Sequence, residues 1–271
     1  MEAKVGIEAE YLLFNKEGAV VVPPRTWDRD GFPVLGEIRG LPGKTVPETV
    51  AYFEQARLSQ LQRLKAWTSN DGHVLQFMDM VQLPLSTYRE ANAQTNWATK
   101  GQKTIQNIYG TDINDFSDQV TNKGKITGVN VSCGLHIHFS CQKSTEVQYD
   151  EWAYEPVTLP LTLATTAKNG PQFTLGVQLF QRTQKDPKKI KATVSVLNQP
   201  TIHWLVEQMD KLFFERFAPP PRLRTKFRQP GFWEAKSYGF EYRSLPCNQA
   251  TLNALPEIVE AAFDLLEQAM E

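Results

Sequence analysis

Gly128-Val129-Asn130-Val131-Ser132-Cys133-Gly134-Leu135-His136-Ile137-His138-Phe139-Ser140 is the stretch on which a reading of the fold turns. Val129, Val131, Cys133, Leu135, Ile137 and Phe139 fall at every second position, with Asn130, Ser132, His136, His138 and Ser140 between them. A period of two marks a strand with one face in a core and the other towards water or a cavity. The chain holds only four histidines, and two of them stand on that polar face. Gly134, on the same face, leaves room for a ligand to approach the backbone. A half-exposed strand would give the same alternation, so the argument for a site needs other stretches that match this one.

Three such stretches exist. In Lys4–Phe14, Val5, Ile7, Tyr11 and Leu13 share one face of a strand, so Glu8 and Glu10 project together from the other. Like charges two apart on one face repel, which is costly unless a cation sits between them. Surface strands also carry Glu-x-Glu, but this one is otherwise apolar, and that points to a divalent metal. A turn at Asp30-Gly31 leads to a strand carrying Glu37 and Arg39 on one face. The last strand, Ser237–Pro246, repeats the spacing with Glu241 and Arg243. The reading is therefore of four strands that each present an acid or an imidazole.

Between these stretches the pattern gives ordinary elements. A short strand covers Ala19–Val22. Thr45 and Glu48 make a capping box for a helix running to Trp67, with Val50, Phe53, Arg57, Leu61 and Leu64 at helical spacing. Gly43-Lys44-Thr45 is not a phosphate-binding loop, because the glycine needed five residues earlier is Ile38. Val74–Val81 reads as a strand. A second helix, with Thr87 and Glu90 as its capping pair, extends to Tyr109, and a polar loop covers 110–116. Residues 144–200 mix charge, Pro156, Pro160, Pro171 and Pro187 with modest helical patterning. Ile202–Phe217 is a helix, which makes His203 and Trp204 packing residues. Arg222, Arg224, Lys226 and Arg228 then alternate, either as a solvated edge or as contacts to phosphate. Leu252–Met270 is an amphipathic helix that turns Leu255, Ile258, Val259, Ala262, Leu265 and Leu266 inwards.

Composition narrows the partners. With 271 residues, 41% hydrophobic and 22% charged, the chain has material for a sizeable core, as one domain or two intimate ones. A net charge of -1 gives no general attraction to nucleic acid or an anionic membrane. No apolar run is long enough to span a bilayer, and an amino terminus that enters a strand at once argues against a signal peptide. Cys133, Cys141 and Cys247 are odd in number and scattered, which suits free thiols in a reducing cytoplasm and no thiolate zinc site.

A zinc hydrolase would favour several histidines and few carboxylates. Glu8, Glu10, Glu37, His136 and Glu241 are carboxylate-rich, which suits magnesium or manganese, ions that prefer oxygen and partner phosphate. Arg39 and Arg243, each two residues from an acid, add bidentate grips for phosphoryl oxygens. Such a site fits ATP chemistry at the γ-phosphate.

Gly6-x-Glu8-x-Glu10, Gly134-Leu135-His136-Ile137-His138 and Glu241-Tyr242-Arg243 together resemble the glutamine synthetase and glutamate–cysteine ligase superfamily. Within it the likeness is nearest to the carboxylate–amine ligases, or amidoligases, of bacteria and phages. Trp27-Asp28-x-Asp30-Gly31 followed by Gly36-Glu37 resembles their second motif, and Val131–His138 their third. The motifs cover nearly the whole chain in the expected order, and the middle matches poorly.

The resemblance implies one catalytic domain over 1–271 with a variable region at 142–200. It implies an α+β fold, a curved antiparallel sheet of about six strands with metals in its concave face and helices outside. Glu8 and Glu10 would ligate different ions, Glu37 would complete one shell, and His136 with Glu241 would hold another. His138 would lie near the nucleotide and Arg243 would contact its phosphates. Arg224, Lys226 and Arg228 would form a second phosphate grip, and 110–116 would border the substrate entrance. Gln76 departs from glutamate–cysteine-ligase-like members, which carry a glutamate there, so either Glu37 supplies that ligand or one metal site is weakened.

The implied activity joins a carboxylate to an amine through an acyl phosphate, using ATP and Mg2+ or Mn2+. Arg243 and Glu241 would act at the reacting phosphoryl group. Glutamate-like acids, a peptide terminus, a cell-wall precursor or a modified nucleobase all fit as substrates, and ring-shaped homo-oligomers occur in the wider superfamily. Two alternatives stay open: a retired ligase that only binds, and a cupin-like metal oxygenase, which would need a third histidine on a later strand.

Overall fold

The computed structural model describes residues 2–30, 32, 34–67, 72–93, 105–113, 117–149, 152–163, 173–184, 188–221 and 224–271; for 92, 145–149, 152–163, 173–184 and 188–194 it describes the backbone alone. The elements are assembled on the first strand, β1 (Glu2–Phe14). Its residues Val5, Ile7, Ala9, Tyr11 and Leu13 are fully buried on one face. β1 is paired along both edges. One edge takes β2 (Val20–Val21) and β3 (Leu35–Arg39), with Glu8 opposite Arg39 and Glu10 opposite Glu37. The other takes β9 (Gly134–Tyr149), with Glu8 opposite His136 and Gly6 opposite His138, and then β4 (Val74–Gln76).

The sheet continues from β9 through β14 (Gly239–Pro246) and β13 (Phe232–Lys236) to β6 (Ile105–Asn107), in the order β2-β1-β9-β14-β13-β6. Glu241 lies opposite His138 on one side and Glu234 on the other. Every charged residue of the candidate site on these strands therefore falls on one face. The opposite face is apolar, and Phe139 stacks on Phe240 with ring centroids 4.7 Å apart. Helices α1 (Val46–Trp67) and α6 (Leu255–Gln268) pack on β1 and on each other, with α3 (Gln199–Met209) beside α6. Leu255, Ile258, Val259, Ala262, Leu265 and Leu266 are all buried, as the spacing of that helix predicts. The architecture is α+β with antiparallel sheets.

Several expected boundaries differ from the structure. The alternating stretch 128–140 is two strands. β8 (Lys125–Val131) is the centre of a separate three-stranded sheet between β5 (Val81–Pro84) and β7 (Gln119–Asn122), and β9 starts at Gly134. Between them the Cys133 amide donates to Met78 O at 2.9 Å and the Cys133 carbonyl accepts from Cys247 at 2.8 Å. Alternation in the sequence continues across the crossing, so periodicity alone does not reveal it. In the same way Val74–Val81 splits into β4 and β5.

The second helix, α2, spans only Leu85–Asn92; Pro84 precedes it without a side-chain cap, and Ile105–Asn107 is strand. In α1, Leu61 is exposed and Gln60 takes the inward position, because the buried Tyr11 hydroxyl needs a partner: Gln60 Nε2 and Tyr11 Oη are 2.8 Å apart. The Glu48 carboxylate accepts from the Lys44 amide at 2.8 Å, one residue before the expected cap.

The described residues between 144 and 195 are strand rather than helix. The chain divides into two compact units, Met1–Lys143 with Val194–Glu271, and Ser144–Thr193. Within the second, β10 (Trp152–Leu163) pairs with β11 (Phe173–Gln184) along twelve residues each, and β12 (Lys188–Ser195) returns the chain. Pro156 and Pro160 sit in β10; a two-stranded ladder leaves each strand an outer edge where a missing N–H is tolerated. α3 runs into a π-helical turn, Asp210–Phe214, then α4 (Glu215–Phe217), and α5 (Gln249–Asn253) precedes α6. No helix among the described residues is long and apolar enough to cross a membrane.

Gly36, opposite Tyr11 in β3, has the Tyr11 ring where a β-carbon would stand. Gly36→Ala forces that ring off its seat and off Gln60. We expect a loss of about 1–3 kcal/mol in chemical denaturation, with a larger loss than for Gly6→Ala, where the added methyl group meets nothing closer than 3.5 Å.

Candidate functional site

The register places Glu8, His136 and Glu241 together from three strands far apart in sequence. Glu8 Oε1 and Glu241 Oε1 each lie 3.0 Å from the same atom, His136 Nδ1. One ring nitrogen carries at most one proton, so two carboxylates at that distance share a single donor. One potential ligand atom from each of the three residues lies within 4.8 Å of the others, and all three residues are buried. His136 Nε2 is buried without a hydrogen-bond partner among the described residues, 3.6 Å from Glu10 Oε1. Two or three carboxylates with one imidazole suit a hard divalent cation.

Around this group the remaining charges interlock. Arg39 Nε donates to Glu8 Oε2 at 2.7 Å, and its guanidinium also pairs closely with Glu37. Arg228 is buried against Glu10, which also accepts from the Gly134 amide at 2.6 Å. A side chain at position 134 would displace that guanidinium, which is why the position is glycine. Arg243 pairs closely with Glu241 and lies 3.4 Å from Glu234. Lys236 bridges Glu241 at 2.7 Å and Glu234 at 2.9 Å. His138 Nδ1 meets the Tyr238 hydroxyl at 2.6 Å, with Nε2 3.8 Å from Glu8.

Two cavities open on this cluster. The larger, about 650 Å³, is lined by Glu8, Glu37, Arg39, His138, Glu241 and Arg243. The smaller, about 310 Å³, is reached by Glu10, Lys226 and Arg228, and Arg243 and Asp30 border both. Thus Glu8, Glu10, Glu37, His136, His138, Arg39, Arg228, Glu241 and Arg243 converge. Arg224 does not: its Nε donates to Pro219 O and its guanidinium sits 4.8 Å from the Phe214 ring centroid. The basic segment is not a solvated edge either, since Arg228 is 2% exposed. Gln76 lines neither cavity. His203 lies in α3 with its ring against Trp233, away from His136. Part of the loop 110–116 (114–116), and Arg222, lie outside the described residues.

Sequence reasoning missed Asp30, Glu234, Lys236 and Tyr238. Asp30 stands in the sequence as a turn residue and as part of the second motif, without a role in the site, and it does accept from the Phe32 amide at 2.8 Å. Glu234 and Lys236 were findable: they alternate with Trp233 and Ala235 along β13 and share a face with Glu241.

Burial and crowding set the protonation of the site. Burial opposes ionisation of Glu8, but His136 outweighs it and holds the carboxyl down at about 2. Glu10 and Glu241 are likewise low despite burial, through Arg228 and His136 for the first and Arg243 and His136 for the second. Burial and Arg243 disfavour charge on His136, yet Glu10 and Glu241 lift its pKa. Glu37 goes the other way: burial and the Glu8 and Asp30 charges push it up to about 9. Asp30, buried and hydrogen-bonded to Glu10, rises to about 7.

Six carboxyl groups (Glu8, Glu10, Asp30, Glu37, Glu234, Glu241) thus face four permanent cations (Arg39, Arg228, Lys236, Arg243). In the cation-free chain, protons on His136, Glu37 and Asp30 offset the excess of carboxylates. One divalent ion carries the same charge as two of those protons.

Comparison with family models, with curated proteins and with solved structures gave no match.

Raised carboxyl pKa values mean that the folded chain binds protons the unfolded chain has lost. Their stabilisation is complete below the unfolded values and declines as pH rises through about 7 for Asp30 and about 9 for Glu37. In EDTA, the melting temperature of the chain should fall between pH 5 and pH 9. Glu37→Gln should remove the upper part of that fall, and millimolar Mg2+ or Mn2+ should flatten it while releasing protons. A fall that is identical in Glu37→Gln would show that Glu37 is not its source.

Proposed function

We propose that the chain is an ATP-dependent carboxylate–amine ligase that works through an acyl phosphate, with its charged sheet face in the role of a glutamine-synthetase-like metal and phosphate site. The observation that carries the reading is the meeting of Glu8, His136 and Glu241 from three distant strands beside Arg243. Glu8, His136 and Glu241 would hold one divalent cation, and Glu10 with Glu37 flank the position of a second. Bound magnesium would supply charge neutralisation at the transferred phosphoryl group.

The chain's own residues have these tasks. Arg39, Lys236 and Arg243 line the larger cavity as grips for a triphosphate, and their present carboxylate partners keep them aimed inwards until phosphate competes for them. Arg243, the most enclosed of the three, stabilises charge on the γ-phosphoryl group as the substrate carboxylate attacks phosphorus and the bond to ADP breaks. A neutral amine then attacks the acyl carbon, inorganic phosphate leaves, and the amine gives up a proton. Activation is required because a carboxylate at neutral pH is a poor electrophile, and no side-chain nucleophile is needed.

One observation favours a second reading, a ligase-like protein that binds nucleotide without turnover: each of the four cations already has a carboxylate partner. The two readings separate in one experiment. Magnesium ATP at about a hundredfold excess over its Kd should raise the melting temperature by roughly 5–10 °C, and Glu241→Gln should abolish the rise. With hydroxylamine as the amine and a panel of carboxylates, a ligase yields hydroxamate together with ADP. Nucleotide binding without either product from any panel or cell extract would leave the binding protein, and no thermal response would remove both.

A further inference from the structure

The smaller cavity differs in chemistry from its neighbour. Its walls come from α2, from β8 and from the loop around Phe227, with Leu35, Leu85, Tyr88, Ile126, Val129 and Phe227 supplying aliphatic and aromatic surface. At about 310 Å³ it is at the low end of the range for small-molecule pockets. Its inner end is the Glu10–Arg228 pair beside Arg243, so an occupant reaches the charged cluster through that end.

The polar groups at that end are unequal in what they have left to give. Acceptors next to the Arg228 guanidinium are engaged: Glu10 takes the Gly134 amide and Arg228, and Asp118 Oδ1 takes the Lys226 amide at 2.8 Å. Ser132 and Thr225 satisfy each other, with their hydroxyl oxygens 2.5 Å apart. Donors remain. Arg228 is 2% exposed, yet its Nε–H has no hydrogen-bond partner among the described residues. The Lys226 ammonium stands 4.9 Å from the Phe227 ring centroid, with no carboxylate within ion-pair distance among the described residues. An unpaired buried guanidinium N–H is costly, and a ligand that brings an anionic acceptor relieves it.

We propose that this cavity is the seat of a carboxylic acid with an apolar, aromatic or branched body, held by its carboxylate at Arg228 with the body between α2 and β8. The proposal rests on the ligase reading for its role: such an acid would be the carboxylate activated by ATP, presented from one cavity to a phosphoryl group gripped in the other, with Arg243 on the shared wall. An amine in this seat would meet donors with a donor. A short polar diacid of the glutamate kind would leave the apolar walls empty.

Titration calorimetry on the full chain, with and without magnesium ATP, tests the assignment with three probes: hydrocinnamate, glutamate and phenethylamine. Hydrocinnamate should bind roughly tenfold or more tightly than either of the others, since its phenyl group is buried and its charge matches. Ile126→Asp and Leu85→Asp put a charge on the cavity wall at positions that are not fully buried. Each should weaken hydrocinnamate about tenfold and leave the thermal response to magnesium ATP unchanged. Tighter binding of glutamate or phenethylamine, hydrocinnamate binding unmoved by both variants, or no binding of any probe would overturn the proposal. Hydrocinnamate binding as expected in a chain that shows no response to magnesium ATP would instead remove the ligase reading and leave the ligand class standing.

Discussion

The constraint on which the structure depends is the register of β1. Its apolar residues must face α1 and α6, so Glu8 and Glu10 must face the other way. A slip of one residue would drive both acids into the helices and turn the core outwards. Two carboxylates two residues apart on a strand, about 7 Å, repel by about 2 kcal/mol at an effective dielectric of 20, and burial adds to that. The sheet answers with a cation on each side of the pair: Arg39 from β3 for Glu8, and Arg228 from the segment before β13 for Glu10. Core packing thus holds the acids in place, and the acids in turn decide which residues surround them.

The same logic explains why there are two cavities and not one. Arg243 follows Tyr242 where the β9–β14 register shifts, and Tyr242 is fixed on the apolar side by a 2.7 Å hydrogen bond to the buried Asp210 of the π-helical turn. Arg243 is thereby set between Glu241 and Glu234 on one side and the Glu10–Arg228 pair on the other. Asp30 closes the wall through its hydrogen bond to Glu10. The wall between the cavities is built of charge.

Much of the candidate site was legible because strand periodicity is short and strict. Glu8/Glu10, Glu37/Arg39, His136/His138 and Glu241/Arg243 each declare their face within a few residues, and the structure puts all four pairs on one face of one sheet. Connectivity was harder to read. The break at Ser132-Cys133 preserves phase, so one alternating run conceals a change of sheet, and the same holds between Gln76 and Val81. Arg224 and Arg228 alternate in sequence with nothing to distinguish them, yet one lies over Phe214 and the other is buried on Glu10. That difference is set by tertiary packing. Within 144–200 the sequence shows modest helical patterning, yet β10 and β11 form a ladder whose outer edges admit Pro156 and Pro160.

A purely structural account of the charged face meets a difficulty on β1 itself. Buried ion pairs seldom stabilise a fold more than apolar side chains of the same size would. This sheet shows that the apolar solution is available: Leu12, next after Glu10 on the same face, is fully buried in the hydrophobic core. Polarity is confined to the positions around the two cavities and stops one step beyond them. Within that patch six carboxyl groups face four permanent cations, so balance depends on protons held by His136, Glu37 and Asp30, and their loss leaves the cluster short of positive charge. A network serving only the fold gains nothing from that shortfall. Under the proposed function it has a use, since a divalent cation would fill it and a fully balanced cluster would have no charge to offer.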